Sequence, residues 1–331
     1  MKKIEIGYHA SHEQFKPSEL LKLVQQAEDA GFTQALSSDH YFPWSESQGE
    51  SGFAWSWLGA AMQATKLGFG IVNAPGQRYH PAIIAQAVAT LCEMNPGRFW
   101  IAAGSGQFLN EHIDGGKWPL KQARNERLKE SVDIMRALWR GETVTHSGHV
   151  QVSEAKLYTR PHYIPSVIGA ALTEETARWV GSWADGMITT SRQPEELRKI
   201  IGAFRQGGGE GKPVYLKVQL SYDRTFDKAL AGAHEQWKNN IFTSALLSDI
   251  RSPQGFDAAG AVVKPQDMLN SVRISDSTSQ HLQWLLDDVH AGVTNLYLHN
   301  VNREQLPFIE AFGRDVLPYL ADANHIAEQN I

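Results

Sequence analysis

The sequence predicts an α/β protein with a (β/α)8 barrel fold, and two observations carry that prediction. Eight short apolar segments alternate with helical patterns along the 331 residues, which is typical of a parallel sheet covered by helices. Polar side chains follow directly after those apolar segments, where barrel enzymes hold their active sites. A doubly wound sheet would alternate in the same way, but eight units more often close into a barrel.

The first half of the chain contains four strand and helix units. The predicted strands cover residues 4–10, 33–38, 67–72 and 99–103. Pro17 and Pro81 stand where two of the helices begin, a position that tolerates proline because its missing N–H would have no helical partner. Apolar residues spaced three and four apart follow each proline and predict one buried helix face. Four such units within about 115 residues favour a parallel sheet.

The second half of the chain continues the alternation of strands and helices, with two interruptions. A long helix is predicted over 123–139, and the alternation at 143–152 predicts an inserted hairpin. The remaining strands are predicted at 166–170, 186–189, 214–220 and 295–299, each followed by a helix. Periodicity is weak between 241 and 274. We therefore expect one barrel domain over 1–331, with insertions at about 141–165 and 241–278, after the fourth and seventh strand units.

Composition limits the class of protein and its compartment. A net charge of −5 without a basic cluster excludes binding to nucleic acid through phosphates, and no apolar run is long enough to span a membrane. The single cysteine, Cys92, allows no disulfide framework. The N-terminus lacks the apolar core of a signal peptide. These features predict a cytoplasmic globular enzyme.

The stretch L-S-S-D-H-Y-F-P-W at 36–44 is the first candidate site. A predicted strand ends there and is followed by Asp39, His40 and Trp44, an acid, an imidazole and an indole at the edge where parallel barrels hold their chemistry. A capping aspartate beside a surface histidine and a packed tryptophan explains the same residues without any function. The stretch by itself leaves these two interpretations even.

Other polar residues follow the remaining predicted strands. They are His9, Asn73, Ser105 to Asn110, Thr173, Thr189 to Ser191, His299 and Asn300. The glycines around Ser105 would let a flat ligand approach the backbone. Asn110, predicted in a loop, either hydrogen-bonds a cofactor or caps a turn. The helix beginning after Thr173 has free N–H groups that suit a phosphate, although its two acidic residues complement the helix dipole without one.

Four motifs, in order, resemble a known family. They are G-Y-H-A-S-H-E-Q-F at 7–15, S-D-H with P-W at 38–44, R-Y-H-P-A-I-I-A-Q at 78–86, and G-S-G with L-N-E at 104–111. Together they resemble the luciferase-like family, most strongly over residues 4 to 140. Its members are (β/α)8 barrels that use FMN or the deazaflavin coenzyme F-420, and the nearest group is the F-420-dependent glucose-6-phosphate dehydrogenases.

The resemblance implies three catalytic residues and a set of cofactor contacts. His40 would be the proton donor or electrostatic stabiliser beside the reactive ring, Trp44 would form the wall on the substrate side, and Gln107 would orient the substrate. The implied cofactor-binding residues are Asp39 at the ring edge, Val72, Asn73 and Ala74 behind the ring, Ser105, Gly106 and Asn110 along it, and Leu172, Thr173, Glu175 and Thr176 at its phosphate end.

The sequence departs from the sugar-phosphate dehydrogenases at several of these positions. Their glutamate general base is Gln107 here, which cannot accept a proton, and a lost general base typically costs about 10²–10⁴ in rate. Ala74 replaces a threonine, and Leu172 with Thr173 replaces a glycine pair. No basic residues match those that bind the sugar phosphate. We therefore expect His40 to lack an acidic partner and glucose-6-phosphate not to be the substrate.

The function predicted from the sequence is an FMN-dependent oxidoreductase or monooxygenase acting on a small organic molecule. An F-420-dependent dehydrogenase or reductase is the alternative, and a flavin carrier without turnover is a rival. A metal-dependent barrel hydrolase using His40, His80 and His299 is a further alternative, although no metal-binding motif such as H-x-H or H-E-x-x-H occurs at these positions and we predict no metal. The expected partners are a small-molecule substrate, a flavin reductase or nicotinamide donor, and a second copy of the chain in a homodimer.

Overall fold

The computed structural model describes residues 4–320 and contains the predicted closed barrel. The strands are β1 (Glu5–Ala10), β2 (Gln34–Ser38), β3 (Gly68–Asn73), β4 (Phe99–Ala103), β5 (Val144–Ser147), β6 (Gln151–Ala155), β7 (Val167–Ala170), β8 (Gly186–Thr190), β9 (Val214–Ser221), β10 (Arg273–Ile274) and β11 (Asn295–Asn300). Parallel pairing runs β1-β2-β3-β4-β7-β8-β9-β11, and β11 pairs again with β1. The predicted (β/α)8 fold is therefore confirmed.

Twelve α-helices occur in the described residues. They are α1 (Pro17–Asp29), α2 (Ala54–Ala64), α3 (Pro81–Met94), α4 (Phe108–Glu111), α5 (Lys121–Trp139), α6 (Glu174–Gly181), α7 (Pro194–Phe204), α8 (Phe226–Trp237), α9 (Ser244–Asp249), α10 (Pro253–Gly260), α11 (Thr278–His290) and α12 (Gln305–Asp315). Two short ones, α4 and α9, contribute residues to the lining of the barrel's cavity. The longer ones bury one apolar face; in α1 that face is Leu20, Leu23, Val24 and Ala27. Within residues 4–320, no helix is both long and apolar enough to cross a membrane.

Two segments interrupt the alternation of strands and helices. The first, β5 and β6, forms the antiparallel hairpin between α5 and β7. The second holds α9, α10 and the short strand β10, which adds to β9 at Leu220 and Ser221. Strand β10 and helix α4 were not predicted, because two strand residues or one helical turn are too short to show a period in the sequence.

Aromatic residues fill the end of the barrel interior where the strands begin. The ring of Trp100 lies 4.6 Å from that of Tyr215, and Tyr215 stacks on Tyr297 at 6.1 Å between ring centroids. A Cβ atom on Gly7 would overlap the ring of Tyr297, and one on Gly70 would overlap the indole of Trp100. The two glycines thus make room for the rings, which close this end and leave the other end open.

Candidate active site

A cavity of about 2750 Å³ opens at the carboxyl ends of the barrel strands. Every catalytic and cofactor-binding residue implied by the resemblance lines it: His40, Trp44, Gln107, Asp39, Val72, Asn73, Ala74, Ser105, Gly106, Asn110, Leu172, Thr173, Glu175 and Thr176. The strand-end candidates His299 and Asn300 are not among its lining residues. These residues follow β2, β3, β4 and β7 along the chain, and closure of the barrel turns those strand ends toward one space. The structure therefore brings the predicted residues together, while their individual roles stay predictions.

His40 has an acidic partner, contrary to the expectation from the sequence. Its Nδ1 lies 2.5 Å from Oε1 of Glu13, in the loop after β1. The hydroxyl of Ser38 donates to the same oxygen at 2.7 Å, and the hydroxyl of Ser11 donates to Oε2 at 2.9 Å. The Glu general base at position 107 is indeed absent, but a different carboxylate reaches the imidazole from another strand. Glu13 lies within the resemblance motif at 7–15, which was its only signal in the sequence.

The environment of Glu13 keeps its carboxylate ionised. Burial raises the pKa of Glu13, but the charge and hydrogen bond of His40 and the hydrogen bond of Ser38 outweigh burial and hold it well below its usual range. An ionised carboxylate on Nδ1 orients the imidazole. The Nε2 side of the ring is then the side that can exchange a proton with a molecule in the cavity.

Trp44 packs directly against His40. Its ring lies 4.8 Å from the ring of His40 in an edge-to-face arrangement, and its other side packs against Phe256 of α10 at 5.2 Å. Edge-to-face contact of this kind fixes the orientation of both rings. Trp44 thus forms a wall beside His40, and the second insertion supports that wall from behind.

Asp39 is the centre of a fixed hydrogen-bond network. Its Oδ2 accepts from Nε1 of Trp55 at 3.0 Å and from Nδ2 of Asn73 at 2.6 Å, and its Oδ1 accepts from the hydroxyl of Tyr79 at 3.1 Å. Arg78 lies 3.6 Å from the same carboxylate. These bonds tie the ends of β2 and β3 together. Within the described chain, Oδ1 of Asn73 is buried without a partner, so it can accept a hydrogen bond from a ligand.

Asn110 lies in the short helix α4, not in the predicted loop. Its Oδ1 accepts from the backbone N–H groups of Tyr41 at 2.8 Å and Phe42 at 3.1 Å, so it does cap the loop that carries His40. Its Nδ2 is buried and has no partner in residues 4–320. Gly106, before this helix, has φ +79°, a conformation that favours glycine. The amide of Asn110 therefore serves the loop with its oxygen and leaves its nitrogen for a ligand.

The start of α6 is partly satisfied by its own side chains. The hydroxyl of Thr173 accepts from the backbone N–H of Thr176 at 3.3 Å, which is a side-chain cap. Lys121 faces the same part of the cavity, since its ammonium donates to the hydroxyl of Ser105 at 2.7 Å and it interacts with the charge of Glu175. Arg124, one turn further along α5, lines the cavity too. These two cations were missed in the sequence.

The sequence also missed Lys217 and Gln219 of β9, which line the same cavity. They alternate along the strand with apolar residues, so each gave the signal of an ordinary strand position. Burial lowers the pKa of Lys217 to about 8, although the charge of Glu13 opposes this shift. The ammonium lies 5.3 Å from the centre of the Trp237 ring. The seventh barrel strand thus adds a cation to the floor of the cavity.

Metal chemistry finds no support in the part of the chain that is described. No group of three or more His, Cys, Asp and Glu side chains there is arranged to hold a metal ion. His80, one of the three histidines considered for a metal, binds the carbonyl of Gln151 in the β5–β6 hairpin through Nε2 and caps α3 through Nδ1. His80 is therefore used for structure, away from His40.

Comparison with known proteins identifies relatives over nearly the whole chain. The family model described as luciferase-like monooxygenase matches residues 3–295. The chain is 32% identical to an "F420-dependent glucose-6-phosphate dehydrogenase" of Beutenbergia cavernae, covering 96% of this chain and 97% of that protein. It is 33% identical to "F420-dependent glucose-6-phosphate dehydrogenase 2" of Rhodococcus jostii, with coverage of 96% and 98%.

A solved structure is similar as well. It is described as an "F420-dependent secondary alcohol dehydrogenase in complex with an F420-acetone adduct", with a TM-score of 0.90, 27% identity, and coverage of 96% of this chain and 99% of that one. These names support coenzyme F-420, the alternative from the sequence, better than FMN, and they do not support a metal-dependent hydrolase. The chain belongs to the luciferase-like monooxygenase family and is an oxidoreductase of that family.

Proposed function

We propose that this luciferase-like oxidoreductase transfers a hydride between coenzyme F-420 and a hydroxyl-bearing carbon of a small molecule. The observation that carries the proposal is the pair of His40 and Glu13 at the cavity. Oxidising an alcohol carbon releases a hydride and a proton, and the proton needs an acceptor. Bonding to Glu13 through Nδ1 leaves Nε2 of His40 as that acceptor. The names of the relatives at 32% and 33% identity point to the same reaction class.

The residues of this chain fit a deazaflavin. When bound, the cofactor supplies the hydride chemistry, accepting a hydride from the substrate or returning it. Oδ1 of Asn73 and Nδ2 of Asn110, both buried without partners in residues 4–320, would hydrogen-bond the edge of the ring. Lys121 with Arg124 would hold the phosphate end beside α6.

The remaining site residues position the substrate and the proton. His40 accepts the hydroxyl proton at Nε2, and the negative charge of Glu13 stabilises the imidazolium that results. Trp44 closes one side of the space next to His40 and keeps water from it. Gln107 donates and accepts hydrogen bonds without titrating, so it orients the substrate and takes no proton.

FMN is the competing cofactor, and titration distinguishes the two. Purified protein is titrated separately with F-420 and with FMN, and binding is followed by quenching of tryptophan fluorescence and by cofactor absorbance. We expect saturable binding of F-420 at least tenfold tighter than of FMN. Tight binding of FMN with no binding of F-420 would reject F-420 as the cofactor. It would instead support the prediction from the sequence, an FMN-dependent enzyme.

A substrate panel then tests the reaction. With oxidised F-420 bound, secondary alcohols and sugar phosphates are added, and loss of the visible absorbance of the oxidised deazaflavin is recorded. We expect turnover with small alcohols and little with glucose-6-phosphate, because Gln107 replaces the carboxylate base of the sugar-phosphate enzymes. If F-420 binds but no hydroxyl compound reduces it in any assay, the dehydrogenase proposal fails while the cofactor assignment survives.

A further inference from the structure

The floor of the cavity contains a second polar group that the proposed proton transfer does not use. Three strands contribute to it: His9 from β1 and Lys217 from β9 line the cavity, and His299 from β11 packs against His9. These strands are neighbours in the barrel, and the register places Lys217 opposite Tyr297, two residues before His299. The three side chains therefore point into the barrel at neighbouring positions along its axis, closer to the carboxyl ends of the strands than the aromatic rings.

Ring contacts confirm that these side chains form one cluster. The rings of His9 and His299 lie 4.3 Å apart, and the ring of His299 lies 4.9 Å from that of Trp237. Trp237 in turn supports the ammonium of Lys217 at 5.3 Å from its ring centre. The cation is thus held against one wall of the floor, beside the two imidazoles.

Two members of the cluster, His9 and Lys217, lack the hydrogen-bond partners that buried polar groups normally have, whereas Nε2 of His299 lies 3.2 Å from Oε1 of Gln14. His9 is 3% exposed and lines the cavity, yet neither of its ring nitrogens has a partner within residues 4–320. Lys217 is only partly accessible and forms no hydrogen bond or ion pair in the same range, since the influences on it are burial and the distant charge of Glu13. Buried polar groups of this kind are rare unless something binds them.

Glu13 forms no ion pair with Lys217 within the described residues, although its charge acts on the ammonium. Oε1 binds His40 and Ser38, and Oε2 accepts from Ser11. Burial, together with the charges of Lys217 and His299, holds the pKa of His9 well below its usual value, so His9 is neutral and offers one N–H donor. One ammonium and one N–H donor match the two oxygens of a singly charged carboxylate. A phosphate dianion would leave one negative charge without a counter-ion.

From this geometry we propose that Lys217 and His9 form a carboxylate-binding subsite, and that the substrate class is small hydroxy acids. The hydroxyl of such a substrate faces His40, and its carboxylate accepts hydrogen bonds from the ammonium of Lys217 and from His9. This inference rests on the proposed oxidation of a hydroxyl, and it specifies which hydroxyl compounds the cavity selects.

Direct binding tests the subsite without relying on turnover. Butyrate, a carboxylate with no hydroxyl to oxidise, is titrated calorimetrically into protein saturated with oxidised F-420, or into the purified protein if F-420 does not bind. We expect saturable binding that weakens about tenfold to hundredfold in Lys217→Met, because a charge-assisted hydrogen bond is lost. Lys217→Gln, which removes the charge but keeps a polar group, serves as the second variant should the methionine protein fold poorly.

An exposed lysine provides the matched control. Lys199 lies on the outer helix α7, and Lys199→Met should bind butyrate as the wild type does. Circular dichroism verifies that each variant is folded. Equal butyrate affinity in wild type, Lys217→Met and Lys217→Gln would overturn the subsite, and so would the absence of butyrate binding to the wild type.

Turnover provides the second readout. β-Hydroxybutyrate and sec-butanol differ only in that a carboxylate replaces a terminal methyl group. We expect the wild type to prefer β-hydroxybutyrate, and the ratio of the two kcat/KM values to fall at least tenfold in Lys217→Met but not in Lys199→Met. A ratio that does not change rejects the hydroxy-acid assignment. If butyrate binds through Lys217 but no alcohol is oxidised, the subsite stands and the proposed function fails.

Discussion

Two sides of the same cavity floor differ in how their charges are compensated. At the ends of β1 and β2, Glu13 is fully bonded to His40 and two serine hydroxyls. On the other side, Lys217 of β9 has no ion pair and His9 of β1 has no hydrogen bond within the described residues. On the first side, the polar groups that orient the proposed proton acceptor find their partners within the protein. On the second side, Lys217 and His9 would find partners only in a bound ligand, as expected of a site that recognises one.

Removing the imidazole of His40 should reduce activity more than any of the other substitutions. In His40→Ala, turnover with any hydroxyl substrate is expected to fall about 10²–10⁴-fold, because the proton acceptor is gone. Cofactor affinity should stay within about tenfold of the wild type, since His40 is not among the groups that hold the ring. Steady-state kinetics and F-420 titration measure both, with exposed His162→Ala as the control. Wild-type rates in His40→Ala would exclude His40 from the reaction.

Removing the charge of Glu13 should have a smaller effect on the same side. In Glu13→Gln the amide still reaches Nδ1 of His40, but the imidazolium loses its negative partner. We expect kcat to fall about 10–10²-fold, less than the loss of the acceptor itself. Stopped-flow reduction of bound F-420 isolates this step from product release. Glu210→Gln, on the surface after α7, is the control, and an unchanged reduction rate in Glu13→Gln would show that the carboxylate only supports the fold.

Removing the unpaired charge of Lys217 should stabilise the folded protein. Burial lowers the pKa of Lys217 from 10.5 to about 8, so below pH 8 the folded chain holds a partly desolvated cation. Lys217→Met should raise the free energy of unfolding at pH 7 by about 1–3 kcal/mol. Between pH 8 and 10.5 the unfolded wild type binds more protons than the folded one, so wild-type stability rises with pH there and the difference shrinks. Urea unfolding at pH 7 and near pH 10 checks both the size and the sign.

The smallest expected effect is on the loop that carries His40. Asn110→Ala removes the acceptor for the backbone N–H groups of Tyr41 and Phe42, which should cost about 1–2 kcal/mol of stability. Hydrogen exchange should speed up at these two amides and not at the buried strands. F-420 affinity should also weaken, because Nδ2 of Asn110 is one of the groups proposed to bind the ring. Unchanged exchange at Tyr41 and Phe42 would contradict the capping role.

Prediction of the fold succeeded because strands and helices are local patterns. All eight barrel strands were placed within a few residues, since each combines an apolar run with flanking turn residues. The sequence predicts an insertion at about 241–278 but does not define its elements, and there the structure has two short α-helices and a two-residue strand. Elements of one or two turns show no period, and α10 is fixed by packing of Phe256 on Trp44, which lies far away in the chain.

The sequence predicted many of the residues that line the site but not which of their side chains bond to each other. Most of the residues chosen at the strand ends line one cavity, because a closed parallel barrel turns every carboxyl end to the same side, whereas His299 and Asn300 are not part of its lining. Partners were missed where the contact joins residues that lie far apart in the sequence. Glu13 and His40 are 27 residues apart, and the expectation that His40 lacks an acidic partner was wrong for that reason. The choice of FMN over F-420 rested on residue types alone, and the homodimer and the electron donor remain predictions.

By itself, the sequence determined the barrel, the family and many of the polar residues that line the cavity. Only the tertiary structure showed which polar groups pair with one another: Glu13 with His40, and Asp39 with Trp55 and Asn73, while Lys217 has no ion pair within the described residues. The physical reason is that hydrogen bonds and charge pairing act over a few ångströms, whereas β1 and β9 are separated by about two hundred residues. Their ends meet only when β11 pairs with β1 and closes the barrel.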